Sequence, residues 1–136
     1  MDYSYRVNAM GAVLTTKALA KQLSIEKMET VVANLSARVG SLTDNRLGGW
    51  YSYRMSKAAL NMATRTMAVE LKRRRVLCVS LHPGTTDTGL SLPFQKNVKP
   101  DMLFDASFSA NQLLDIIDGL TPELSGGFFA WDGSKI

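Results

Sequence analysis

Tyr53 and Lys57 stand four residues apart in the stretch "YSYRMSK" at 51–57. Four residues is about one helical turn, so the two side chains project from one side of a helix. A free phenol titrates at about pH 10 and trades protons poorly at neutral pH. A neighbouring ammonium favours the phenolate and lowers that value toward the range where a general acid or base works best. Such a pair suits proton donation to a carbonyl oxygen while hydride arrives, or proton removal from an alcohol in the reverse direction. The plainer alternative is a tyrosine anchoring a helix start and a lysine on its wet face.

The elements that must position this pair follow from hydrophobic spacing. Residues 5–23 place Val7, Met10, Gly11, Leu14 and Ala18 at helical intervals. A charged connector, "SIEKME", leads to "TVVANLSA", an apolar, β-branched run of strand length. Residues 38–50 form a loop rich in Gly, Ser, Asp and Asn. The longest helical pattern runs from 52 to 75, with Leu60, Ala63, Met67 and Leu71 as its buried stripe and a basic run at its close. "VLCVSLHPG" reads as a strand covered on both faces. A third helix spans 105–119, and "SGGFFAWDG" supplies a last strand and turn. Helices alternating with three strands imply an α/β fold with a parallel sheet and right-handed crossovers. The first strand of a complete doubly wound domain, with its Gly-rich phosphate turn, has no counterpart, so 1–136 reads as a single partial domain.

Bulk properties narrow the function classes. The 136 residues are 46% hydrophobic and carry a formal net charge of +4. Lys72-Arg73-Arg74-Arg75 fits the C-terminal end of a helix, where cations complement the dipole; nucleic-acid or membrane contact is the weaker alternative. The one cysteine, Cys78, excludes an intramolecular disulfide and reads as a small core residue. The sequence offers no signal peptide and no apolar stretch of the roughly 20 residues that span a bilayer. These features point to a cytoplasmic protein that binds neither nucleic acid nor membrane. His82 has no partner at ligand spacing, which argues against a metal site. Trp50 and Tyr51 read as loop packing or as the lining of a substrate entrance. Met55, Met62 and Met67 read as gap-fillers, and Phe128, Phe129 and Trp131 as core.

Four stretches together resemble the short-chain dehydrogenases/reductases. "YSYRMSKAALNMATRTMAVEL" is similar to that family's active-site helix, with its Tyr-x-x-x-Lys motif. "HPGTTDT" resembles its Pro-Gly loop, "VNAMG" the helix carrying its asparagine, and "VVANLSARVGS" the strand that ends at its serine. The C-factor-like carbonyl reductases are the most similar branch, and the likeness extends over essentially the whole chain. The resemblance implies the C-terminal half of a doubly wound, Rossmann-like domain. It also implies an NAD(P)-dependent oxidoreductase acting on a small carbonyl or alcohol, with NADP or NAD as cofactor and NADP preferred. Tyr53 would be the acid/base and Lys57 its activator and a ribose ligand; Asn8 would hold a relay water. Pro83, Gly84, Thr86 and Thr88 would flank the nicotinamide. A homodimer or tetramer would form through the helices at 5–23 and 52–75.

Two departures bear on activity. The family strand ends in two serines, the second of which polarises the carbonyl; here that place holds Ala37, after Ser36. Loss of such a donor costs about 3 kcal/mol of transition-state stabilisation. Ser41 is the candidate replacement, with Ser36 weaker because alternation along a strand turns it the other way; the plainer role of Ser41 is in its turn. The cradle for the cofactor's adenine and pyrophosphate is also missing. The alternative function is therefore a truncated, catalytically impaired homologue serving as a dimerisation or regulatory subunit.

Overall fold

The computed structural model describes residues 1–23 and 29–136; most of the connector at 24–29 lies outside the described residues. The N-terminal helical segment comprises α1 (Asp2–Tyr5), a π turn (Arg6–Met10) and α2 (Gly11–Leu23). Then come β1 (Thr30–Leu35), α3 (Tyr51–Leu71), β2 (Val76–His82), the short β3 (Thr85–Thr86) and β4 (Leu103–Phe104), α4 (Ala106–Asp118) and β5 (Phe128–Ala130).

β1, β2 and β5 form one parallel sheet in that order, with Thr30 opposite Val76 and Ser80 opposite Phe128. The three strands expected from sequence are these three. β3 and β4 make a second, two-stranded parallel sheet that the sequence pattern did not signal, because two-residue strands carry no periodicity.

β2 is central and buried along almost its whole length. Its alternate side chains feed two cores, as strand geometry requires. Leu77, Val79 and Leu81 pack with Leu113, Leu120 and Phe129 on the α4 side. Val76 and Cys78 pack with Met67 and Ala68 on the α3 side. The result is helix, sheet, helix, in three layers. Cys78 is fully buried, and burial pushes its thiol up to about 11, so it acts as core.

Helix ends follow local chemistry. Asp105 caps α4 by accepting the amides of Ser107 and Phe108. α3 closes in the basic run: Lys72–Arg74 form a 3-10 turn and Arg75 adopts a left-handed cap at φ 58°. That is the helix-terminal placement, and Arg75 also lies 3.8 Å from Glu29. The apolar residues spaced at helical intervals on the N-terminal helix mostly face outward. Val7, Met10 and Leu14 are exposed, and the side turned inward is Ala9 and Thr16. Met55 and Met62 on α3 are exposed too; of the three expected gap-fillers only Met67 is buried.

Candidate active site

Tyr53 lies in the first turn of α3, and Lys57 follows one turn later. Lys57 Nζ sits 5.8 Å from the centroid of the Tyr53 ring, so the two share a side and a cation–π contact. The same ammonium donates to the carbonyl of Leu35 at 2.8 Å, which ties it to the C-terminal end of β1. A Cβ on Gly40 would fall 2.8 Å from Lys57 Cβ. Glycine there lets the turn Arg38–Gly40 press onto the helix at Lys57.

α3 is stitched to β1 by alternate polar residues. Asn34 Nδ2 donates to Thr64 Oγ1 at 2.9 Å, and Ser36 Oγ donates to Asn61 Oδ1 at 2.6 Å. Ser36 thus spends its proton on α3. Ala37 beside it is buried and extended, at φ −151° and ψ 145°. Ser41 Oγ accepts the amide of Asp44 at 3.2 Å, the turn role.

Asn8 occupies the π turn, a distortion frequent at functional sites. Its Nδ2 donates to the buried Ser56 Oγ at 2.9 Å, and Ser56 Oγ donates back to the Tyr53 carbonyl. Asn8, Tyr53 and Lys57 are thereby brought to one region of α3.

The expected electrostatics of the pair differ. Burial pushes the Tyr53 phenol up and the Lys57 ammonium down. The spacing argument led to a lowered phenol. Desolvation outweighs that attraction because both groups are withdrawn from water while Lys57 is directed at a carbonyl rather than at the phenol oxygen.

The facing wall begins at the end of β2. Gly84 has φ 77°, and a Cβ there would lie 2.7 Å from the Phe104 ring and 3.0 Å from Trp131. Its glycine serves an aromatic cluster of Phe104, Phe108 and Trp131, whose centroids lie 4.4–5.7 Å apart. Thr86 Oγ1 shares a 2.9 Å hydrogen bond with Ser109 Oγ, which donates to the Pro83 carbonyl at 3.1 Å. Thr88 is exposed and its amide donates to Ser91 Oγ. Pro83, Gly84 and Thr86 are thus bound into one loop braced by α4, with Thr88 at its open end.

His82 is half-buried and its Nδ1 has no partner among the described residues. Burial and the Arg38 charge push it down to about 4, against a smaller opposing pull from Asp132. No group of three or more His, Cys, Asp or Glu stands together to hold a metal among the described residues. Sequence reasoning missed the braces: Asn61, Thr64 and Ser109. The four-residue step from Lys57 to Asn61 was the available signal, since it continues the Tyr53–Lys57 face.

A parallel α/β sheet with a Tyr-x-x-x-Lys helix packed on its central strand defines a nucleotide-fold oxidoreductase type of architecture. A family model described as short chain dehydrogenase matches residues 1–99, and the chain belongs to that family. The "C-signal" protein of Myxococcus xanthus is 39% identical over 136 residues, covering 100% of this chain and 77% of that protein. The 1-hydroxy-2-glutathionyl-2-methyl-3-butene dehydrogenase of a Rhodococcus species is 37% identical over 94% of this chain and 54% of its own length. Among solved structures, the carbonyl reductase Sniffer of D. melanogaster superposes with a TM-score of 0.85 at 30% identity, covering 97% of this chain and 54% of that one. The NADPH-bound carbonyl reductase from chicken fatty liver gives 0.82 at 28% identity, with the same coverage. The chain spans about half the length of these structures.

Proposed function

We propose that the chain is the catalytic half of an NAD(P)-dependent carbonyl reductase or alcohol dehydrogenase, in which Tyr53 exchanges the proton with the substrate oxygen. The observation that carries this reading is Lys57 Nζ standing 5.8 Å from the Tyr53 ring while anchored to the Leu35 carbonyl. The residues present fit the nicotinamide end of such a cofactor. Lys57 offers an ammonium, Thr88 an exposed hydroxyl, and the Pro83–Thr86 loop a braced backbone. The described residues include no Gly-rich turn for a pyrophosphate, and that requirement falls to the half that this chain does not match. NADP is preferred to NAD because the chicken carbonyl reductase is NADPH-bound.

The bound cofactor supplies the hydride; the protein supplies orientation and the proton. Tyr53 holds that proton because burial keeps its phenol protonated. A ribose hydroxyl is a competing acceptor for Lys57 Nζ. Asn8, whose Nδ2 donates to Ser56 Oγ beside Lys57, would hold a water in the proton path. Ser41 is the nearest surviving hydroxyl donor in the loop after Ala37, since its Oγ only accepts in the described hydrogen bonds. The reading fits a cytoplasmic protein, and no helix among the described residues is long and apolar enough to cross a membrane. Oxidation of NADPH with a panel of aldehydes and ketones tests it, comparing wild type with Tyr53→Phe.

A second reading, a dimerisation or regulatory subunit, is favoured by a separate observation. Val7, Met10 and Leu14 on the N-terminal helix and Met55, Met62 and Val69 on α3 are all exposed. Exposed apolar stripes of this kind mark association surfaces. β1 is also the sheet's edge, and a cleft of about 370 Å³ between α2 and β1 runs along it, lined by Leu19, Leu23, Val31 and Val32 among others. An unpaired strand edge beside an apolar cleft is what a partial domain would expose. Light scattering after size exclusion tests the second reading: a folded monomer at micromolar concentration removes it, whereas an oligomer is compatible with both.

A further inference from the structure

Two polar contacts bolt α3 to β1, and they land in different places. Asn34 meets Thr64 inside the strand, two helical turns beyond Lys57. Ser36 meets Asn61 at 2.6 Å, one helical turn beyond Lys57 and just past the end of β1. The Asn61 amide also reaches across the turn that follows, where its Nδ2 donates to the Gly40 carbonyl at 3.5 Å. A carbonyl only accepts, so the amide nitrogen faces Gly40 and Oδ1 faces Ser36, whose hydroxyl donates. One side chain of α3 thus holds both ends of the turn Ser36–Gly40.

Both ends of that turn bear on Lys57. The carbonyl of Leu35, immediately before Ser36, accepts Lys57 Nζ at 2.8 Å. At the other end Gly40 lies so close that a Cβ would come 2.8 Å from Lys57 Cβ and 3.0 Å from the Ala58 amide nitrogen. The turn is pinned to β2 at its start, where the Ser36 amide donates to the Leu81 carbonyl at 2.7 Å. Its backbone is closed by the Gly40 amide donating to the Ala37 carbonyl at 2.8 Å. Arg54 Nη1 adds a 3.2 Å contact to the Val39 carbonyl within it. The tip and the root of the Lys57 side chain are therefore gripped by two ends of one turn, and Asn61 spans them.

We propose that Asn61 is a positioning residue for Lys57: by holding both ends of the Ser36–Gly40 turn, it fixes the ammonium in its place 5.8 Å from the Tyr53 ring. The inference rests on the Tyr53 reading above for what that placement achieves, but its test needs no turnover. Lys57 is followed in the full chain by carbon-13 NMR of its Cε, assigned by loss of the signal in Lys57→Met. In wild type the ammonium titrates below the ordinary 10.5, because burial disfavours its charged form.

Asn61→Ala should loosen the turn, admit water to the ammonium and move this titration up toward 10.5. Ser36→Ala breaks the same 2.6 Å bond from the other side and should act alike; it carries the test should Asn61→Ala fail to fold. The double variant should move the titration no further than the larger single change, since both act through one contact. Thr64→Val is the control for a purely structural brace: it removes the other bolt and lowers the melting temperature, yet should leave the Lys57 titration where it is. A titration unmoved by Asn61→Ala and Ser36→Ala, or moved as far by Thr64→Val, overturns the proposal. A titration that shifts as expected while Tyr53→Phe leaves turnover intact would instead remove only the acid/base assignment.

Discussion

His82 is the single histidine of the chain, and it is held neutral by burial and by Arg38 down to about pH 4, against an ordinary 6.5. The unfolded chain takes up the proton first as pH falls, so acidification favours unfolding. The stability this group contributes is complete above about pH 6.5 and is lost progressively as pH drops toward 4. Between pH 7 and pH 5 the two titration curves differ by about 2 kcal/mol at 25 °C. For a domain of this size that is a fall of about 5–8 °C in melting temperature. Other groups do not confuse the window. Glu123 and Asp132 are pushed down from 4.5 and 3.8, so the stability they add is present above those values and is lost only at lower pH. Urea unfolding at pH 7, 6 and 5, with the lone imidazole followed by proton NMR, measures both halves of the argument. His82→Gln should flatten the slope between pH 7 and 5. An imidazole titrating at 6 or above in the folded chain, or a stability indifferent to pH across this range, refutes the reasoning.

Gly84→Ala should cost about 2–4 kcal/mol, since its φ of 77° disfavours any side chain and the added Cβ would lie 2.7 Å from the Phe104 ring; urea unfolding checks it, and a loss below about 0.5 kcal/mol counts against the packing described. Thr64→Val keeps the shape of a fully buried residue but leaves Asn34 Nδ2 without its acceptor, which should cost about 1–2 kcal/mol. A variant as stable as wild type would mean the β1–α3 stitch contributes nothing net. Ala37→Ser should raise carbonyl turnover about a hundredfold or more by supplying an oxyanion donor; an unchanged rate would show that another group already fills that role.

Much of this architecture was legible in the sequence for identifiable reasons. β2 is apolar at nearly every position because both of its faces are covered, and "VLCVSLH" says so directly. α3 announced itself by the step from Leu60 to Met67 and by the basic run at its end. The Tyr53–Lys57 pairing followed from helical geometry alone. What was not legible depended on distant contacts. The direction of the Tyr53 shift turns on burial, which spacing does not report. That Val7, Met10 and Leu14 face outward was not legible, because helical spacing does not report which face of a helix is covered. The Arg54 guanidinium joins its helix to Val39, Gly48 and Gly49, a meeting set by the loop's path rather than by any periodicity.

The measurement that bears most directly on the whole account is the rate of NADPH oxidation coupled to reduction of an aryl aldehyde, with wild type, Tyr53→Phe and Lys57→Met compared under saturating cofactor. Removal of the phenol oxygen should lower kcat about a hundredfold or more, in the range that general acid catalysis supplies. Replacing the ammonium that stands 5.8 Å from that ring should lower kcat as well and raise KM for the cofactor. Turnover retained by Tyr53→Phe would contradict the assignment at its centre.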